Sequence, residues 1–286
     1  MNISIITKKL KLILSEKKLN KLGKETQFTQ RERNVTAFQL VTAMICALGD
    51  KNTEYLSDIL RYFNRLTDQN IRYKPFHNRL AKPELAELMR LVTERVFTHW
   101  INNVLQYKKG HFSQFKKVFI QDGSSFAVKE SLRNIWPGRF TKTSPAAVEL
   151  HAVINLKNGG FESASITPDT FSERAEMPSV EELKGNLFLA DRGYYSGDFI
   201  LKLDKAGGYY VLRAKGLKRV LIHSAVQQDG KQLIKKKSPK LSILQNRLPK
   251  RQAVDMDVEI KGETVRLIAF WSLKEKRHTY LITNLK

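Results

Sequence analysis

Cysteine is almost missing from this chain: Cys46 is the only one in 286 residues. An intrachain disulfide is therefore excluded, which fits a reducing cytoplasm. The six histidines and that one thiol show no zinc spacing either. Acidic residues are scarce, 28 against 50 Lys and Arg, giving a net charge of +22 and a pI near 10.0. So large a basic excess points to a polyanionic partner, nucleic acid ahead of an anionic membrane. Long apolar runs are absent as well. The longest mainly apolar stretch, 38–48, is too short to span a bilayer, and the lysine-bearing N-terminus has no apolar segment with a cleavage site, so neither membrane insertion nor a secretory signal is expected. No internal repeat, low-complexity tract or G-x-x-x-x-G-K-[ST] phosphate loop occurs. Hydrophobic residues still make up 42%, enough for a real core in one large or two ordinary domains.

Two stretches share one plan. Leu187-Phe188-Leu189-Ala190 is an unbroken short apolar run that ends in Asp191-Arg192-Gly193-Tyr194-Tyr195. Such a run reads as a strand buried on both faces, delivering an Asp at its carboxyl end beside a glycine that permits close approach. Lys117-Val118-Phe119-Ile120 leads in the same way into Gln121-Asp122-Gly123-Ser124-Ser125. Each Asp has a plainer reading, a cap or strand end for Asp191 and an Asp-Gly hairpin for Asp122. Together they suit divalent metal chemistry on phosphates, where clustered carboxylates balance the charge of Mg²⁺ or Mn²⁺. Ser124 and Ser125 lack a partner His base, which argues against a serine hydrolase.

Around these stretches the pattern predicts strands at 117–121, 146–156 and 161–167, the second closed by Lys157-Asn158-Gly159-Gly160. A short helix is predicted at 180–183, with Ser179 and Glu182 spaced as a capping box. Then follow the Asp191 strand, a helix at 197–205, a Gly207-Gly208 stop and a strand at 209–213. Three strands, then helix, strand, helix, strand, is the order of a ribonuclease H-like fold, with Asp122 on the first strand and Asp191 ending the fourth.

The phrases Ile120-Gln121-Asp122-Gly123-Ser124, Glu149-Leu150-His151 and Leu189-Ala190-Asp191-Arg192-Gly193-Tyr194 resemble the DDE transposases of bacterial insertion sequences, in the fourth insertion-sequence family. The closing Tyr280-Leu281-Ile282-Thr283-Asn284-Leu285 is similar to the strand before that family's signature helix. The resemblance implies DNA transposition: a two-metal site of two Asp and one Glu, loaded with Mg²⁺ or Mn²⁺, that cuts double-stranded DNA at element ends and joins it to a target. It also implies a homodimer on DNA, and a cytoplasmic, nucleoid-associated location. Asp122 and Asp191 match the two aspartates, as catalytic residues and metal ligands, while His151 reads as structural or supporting. The third carboxylate sits in a Y-x-x-R-x-x-x-E-x-x-x-x-x-x-K helix a few residues beyond such a strand, and the sequence stops at Lys286 before that pattern. Glu259, Glu263 and Glu275 lie in strand-like or turn-like sequence and are not candidates for it. The expectation is a transposase domain truncated before its third acid. The rivals are a non-catalytic DNA-binding protein that competes with or inhibits full-length partners, and a ribonuclease H-like nuclease or resolvase.

Residues 1–112 read as an all-helical DNA-binding domain, followed at 113–286 by the ribonuclease H-like part, an α+β arrangement overall. Helices are expected at 38–48, from about 53, at 74–82 and from Pro83 to about residue 106, the last through Leu85, Leu88, Leu91, Val92 and Val96. The third is a short basic helix after a polar loop, carrying Lys74, His77, Asn78 and Arg79, compatible with a helix-turn-helix reader or with a plain bundle. The stretch 131–145, read as a loop, carries Arg133, Trp136 and Arg139, suited to stacking on bases and holding phosphates or, for Trp136, to plugging a sheet edge. Arg192, next to Asp191, joins the DNA-contact candidates. From 213 to 286 the segment is basic with strand-like pieces, and resembles the β-rich insertion that the family places between its second Asp and its Glu. Its Lys215, Lys218, Arg219, Lys235, Lys236 and Lys237 are expected to hold DNA through phosphate contacts without sequence information.

Overall fold

The computed structural model describes residues 14–31, 35–50, 53, 55–103, 109–234 and 239–286. The chain divides into two compact units, Met1–Tyr107 and Lys108–Lys286. Among the described residues no helix is long and apolar enough to cross a membrane.

The first unit is helical: α1 (Glu16–Glu25), α2 (Ala37–Leu48), α3 (Leu56–Thr67), α4 (Tyr73–Leu80) and α5 (Pro83–Asn103). Thr36 starts α2 with a capping box, its Oγ1 accepting from Gln39 N at 3.2 Å while Gln39 Oε1 accepts from Thr36 N at 3.1 Å. Asn64 fastens the turn between α3 and α4, donating to Ile71 O at 3.1 Å and accepting from Ile71 N at 3.0 Å. Beneath it Phe63 and Phe76, both fully buried, bring their ring centres to 5.6 Å in a core with Leu19, Leu40 and Leu88.

The second unit is built on one mixed sheet of ten strands: β1 (Val118–Ala127), β2 (Pro137–Phe140), β3 (Ser144–Asn155), β4 (Gly160–Pro168), β5 (Leu187–Ala190), β6 (Tyr209–Arg213), β7 (Ile222–Gln227), β8 (Val254–Ile260), β9 (Glu263–Ser272) and β10 (Arg277–Thr283). The order is β2-β3-β1-β5-β6-β10-β9-β8-β7, with β4 pairing β3 as well. The contacts β1–β5 and β5–β6 are parallel and the others antiparallel. Helix α6 (Gly197–Lys205) links the parallel pair β5 and β6, and a one-turn helix α7 (Leu241–Leu244) lies between β7 and β8.

The two faces of the parallel centre are unequal. Phe119, Phe188, Tyr210 and Leu212 point to one face and bury against Ile200 and Leu203 of α6 in the main core. Val118 and Leu187 point to the other, a small cluster completed by half-buried Leu189, Val211 and Leu285. Further along that second face Phe126 and Ile166 remain 54% and 59% exposed, so the apolar surface there is open.

Three differences from the sequence reading have physical causes. Residues 180–183 form a hydrogen-bonded turn, not a helix; Ser179 and Glu182 do exchange capping hydrogen bonds, but Gly185 at φ +71° ends the turn before a second can follow. The stretch 131–145 contains strand β2, which pairs antiparallel with the start of β3 through Pro137 and Phe140. Asp122-Gly123 is no hairpin: β1 runs straight through it, paired residue by residue with β3 from Phe119 to Ala127. The basic β-rich segment is also continuous with the central sheet, because β10 pairs with β6.

Phe188 is completely buried at the centre of the parallel strands. Phe188→Ala should cost about 3–5 kcal/mol of unfolding free energy, read as a lower urea midpoint.

Candidate active site

The alternation of β1 puts Val118, Ile120 and Asp122 on the open face of the sheet. In the parallel pairing of β1 with β5, Gln121 lies beside Ala190, so Asp122 and Asp191 are the next residues along at the same level. Beside Ala190 on the third parallel strand stands Leu212, and the next residue is Arg213. The contact of Arg213 Nη1 with Asp191 Oδ1 at 3.2 Å places Asp191 on the same face as this arginine. Mid-β1, just past the end of β5 and at the last residue of β6, three adjacent parallel strands thus present Asp, Asp and Arg in a row, with neighbouring strands about 4.8 Å apart.

The two carboxylates are held differently. Asp122 is exposed, and its Oδ1 accepts from the N–H of Gly123 at 3.0 Å. Asp191 Oδ1 is shielded from solvent and paired with the Arg213 guanidinium at 3.2 Å. Arg213 itself forks, its Nη2 donating to Glu275 Oε1 at 2.7 Å. The hydrogen bond from Arg277 and that from Arg213 hold the Glu275 carboxyl below its ordinary range. A half-buried carboxylate level with a second, exposed one is a donor set suited to a hard divalent cation. Among the described residues no cluster of three or more His, Cys, Asp or Glu able to hold a metal occurs.

Next to Asp191 opens a cavity of about 460 Å³, lined by Arg192, Arg213, Lys215, Lys218, Trp271 and Tyr280 among others. Trp271 is occupied within the fold: Lys250 Nζ lies 4.5 Å from its ring centre, and His278 meets it edge-on at 5.0 Å.

On the opposite, covered face lies a buried polar cluster. Glu149 and His151 alternate along β3 and both are nearly inaccessible. His151 Nδ1 is 3.3 Å from Tyr194 Oη, and its Nε2 is 3.0 Å from Thr167 Oγ1. Burial, then the charges of Glu173 and Glu149, push the Tyr194 hydroxyl well above its ordinary range, so its proton stays available for donation. Burial likewise raises Glu149, against the pull of His151 and Arg139. Arg139 Nη2 reaches Glu149 Oε2 at 3.4 Å and its Nη1 reaches Glu173 Oε1 at 3.8 Å, while its backbone N–H donates to Asp169 Oδ2 at 2.9 Å.

The other candidate residues fall in several places. Lys74, His77 and Asn78 are exposed on α4, whereas Arg79 is half-buried with its guanidinium 5.7 Å from the Phe28 ring centre. Arg133 is exposed and Trp136 half-buried ahead of β2. Lys215, Lys218 and Arg219 are exposed between β6 and β7, and Arg192 is exposed beside Asp191. Lys235, Lys236 and Lys237 lie outside the described residues. Arg213 was not singled out from sequence; the available signal was an arginine ending a buried apolar strand, as Asp191 does. The inward role of Arg139 had no such signal.

Residues 113–278 match the family profile described as "Transposase DDE domain". The chain belongs to this family. It is similar to the transposase of insertion sequence element IS1151 from Clostridium perfringens, with 23% identity over 99% of this chain and 59% of that protein. The transposase of IS231F from Bacillus thuringiensis subsp. israelensis is 22% identical over 75% of this chain and 46% of its own length. The chain therefore spans about half to three-fifths of the length of these curated relatives. Among solved structures, the piggyBac transposase synaptic complex with hairpin DNA aligns with 97% of this chain and 60% of that chain, at 14% identity and a TM-score of 0.38.

The raised Glu149 carboxyl has a testable sign. Between its ordinary value and its raised one the native state binds more protons than the unfolded state, so stability falls as pH rises through that window. Glu149→Gln should flatten this fall and leave the protein relatively more stable at neutral pH, checked by urea unfolding at a series of pH values.

Proposed function

We propose that this chain is the front part of a DNA transposase of the bacterial insertion-sequence type, in the fourth family, with a ribonuclease H-like core. The single observation that carries this reading is the level placement of Asp122, within β1, and Asp191, just past the end of its parallel neighbour β5. The strand order β4-β3-β1-β5-β6, antiparallel then parallel, supports the ribonuclease H-like assignment. DDE transposases work with divalent metal ions, and here Asp122 and Asp191 would hold Mg²⁺ or Mn²⁺, which supplies Lewis-acid activation of the oxygen attacking the phosphodiester. The Gly123 N–H fixes the orientation of Asp122, and Arg213 offsets the charge of Asp191. Arg192, Lys215 and Lys218 meet an approaching phosphodiester with positive charge from the cavity side.

Double-stranded DNA is the proposed partner, bound as a homodimer at element ends, which would place the protein at the nucleoid. The helical unit is proposed to add DNA contacts through Lys74, His77 and Asn78 on α4, exposed as a helix-turn-helix reader requires. The third carboxylate is proposed to lie C-terminal to Lys286, in keeping with the span of 59% of the IS1151 transposase. The open apolar face around Phe126 and Ile166 is where further helical sequence would find cover.

Strand cleavage on element-end DNA with Mg²⁺ or Mn²⁺ tests this reading. Cleavage is expected from a chain extended through the downstream coding sequence, with a fall of about 10²–10³-fold or more in Asp122→Asn and Asp191→Asn. Robust cleavage by the 286-residue chain, lost in Asp191→Ala, would overturn the placement of the third acid beyond Lys286. Duplex DNA affinity should drop steeply between 50 and 200 mM salt, and replacing Lys215, Lys218 and Arg219 together by Ala should lower the log–log salt slope by about 2–3. Affinity that ignores salt would argue against phosphate contacts.

A further inference from the structure

The two aspartates are joined through the far side of the sheet. Tyr194 follows Asp191 by one short turn, its backbone N–H donating to Asp191 O at 3.1 Å. Its side chain then leaves the open face altogether. The ring is 1% exposed, and its hydroxyl lies against Gly123, the residue that orients Asp122. A Cβ built on Gly123 would stand 3.1 Å from Tyr194 Oη and 2.7 Å from Glu149 Oε1. Beyond Gly123 the hydroxyl reaches His151 Nδ1 on β3, the residue paired directly with Gly123, and His151 is braced in turn by Thr167 on β4.

Glu173 closes the same loop from outside, its carboxylate filling the place where a side chain on Gly193 would begin, 1.3 Å from the built Cβ. Arg139 lies 3.8 Å from that carboxylate and also reaches Glu149. Gln121 Nε2 donates to Glu176 O at 2.6 Å, which anchors the short turn carrying Glu173 to β1 itself. Several fastenings of the Asp191 loop on this side thus lead to β1 or to strands paired with it.

We infer that Tyr194 and His151 are positioning residues: together they tie the loop bearing Asp191 to the strand bearing Asp122, and so set the separation of the two carboxylates that receive the metal. The inference rests on the proposed reading of Asp122 and Asp191 as metal ligands. Neither Tyr194 nor His151 touches the metal or the DNA; they act through Gly123 and the backbone of the loop. A metal site that needs fixed donor geometry loses affinity when such outer supports are removed, typically about 10–100-fold for a group bonded directly to a ligand. The support here is indirect, so the low end, about 10-fold, is expected.

The test is Mn²⁺ binding by the 286-residue chain, measured from the electron paramagnetic resonance signal of the free ion, alongside the thermal midpoint and affinity for duplex DNA in EDTA. Tyr194→Phe keeps the ring and removes only the hydroxyl; Gly123→Ala inserts a methyl against Tyr194 and Glu149. Both should weaken Mn²⁺ binding about 10-fold, with metal-free DNA affinity unchanged. Asp191→Asn should abolish Mn²⁺ binding. Wild-type Mn²⁺ affinity in Tyr194→Phe and Gly123→Ala, with or without a lower thermal midpoint, leaves the pair a purely structural role and overturns the inference alone. Mn²⁺ binding absent from the wild type, or untouched by Asp191→Asn, overturns the metal reading and the positioning role with it.

Discussion

The register between β1 and β5 is the constraint on which the site depends. The two strands are distant in sequence and parallel, so no tight turn sets their alignment; the apolar residues must. Phe119 beside Phe188 and Val118 beside Leu187 each bury on their own face, and this double match fixes the pairing. A slip of one residue would exchange the faces of one strand and drive its carboxylate toward the core packed on α6. Burying an unpaired carboxylate there is far costlier than any gain from an alternative fit. Core packing and site geometry are thus one requirement.

Charge is sorted across the sheet in the same economical way. The buried acids Glu149 and Asp169, with Glu173, gather on the covered side around Arg139 and His151, where they brace strands and turns. The open side keeps Asp122 and Asp191 level with Arg213, and the cations of the adjoining cavity face outward. An overall charge of +22 therefore coexists with a local acidic pair. A surface field of one sign and a contact site of the other can coexist in this way because the field falls off slowly while the pair matters only at contact range.

Much of this was legible in the sequence, because short apolar runs closed by Asp and Gly carry their own boundaries. The bounds 197–205 and 209–213 agree with α6 and β6, since Ser196 and the Gly207-Gly208 pair punctuate them sharply. Strand adjacency was less accessible: nothing local in 117–121 or 187–190 says that they pair in parallel. β2 was hidden because Pro137 and Gly138 read as loop residues, yet Gly138 is what permits the approach, a built Cβ there lying 2.0 Å from Ser144 O. The inward turn of Arg139 was equally unreadable, because an arginine among aromatics looks the same whether it faces phosphates or carboxylates. Arg213 and the partnership of Tyr194 with His151 depend on contacts across three strands, which only the assembled sheet supplies.

The pairing of Arg213 with Leu281 has a consequence for how the molecule can vary. The chain departs from the central sheet at Arg213 and returns immediately beside its point of departure, so everything between is a closed excursion. The entropy of closing such an excursion grows only with the logarithm of its length, about 0.6 kcal/mol for each doubling. The loops inside it can accordingly lengthen or shorten at little cost, whereas its strands are bound in, because Val258, Leu267 and Ala269 share the core of Phe188 and Ile200 and Glu275 holds Arg213.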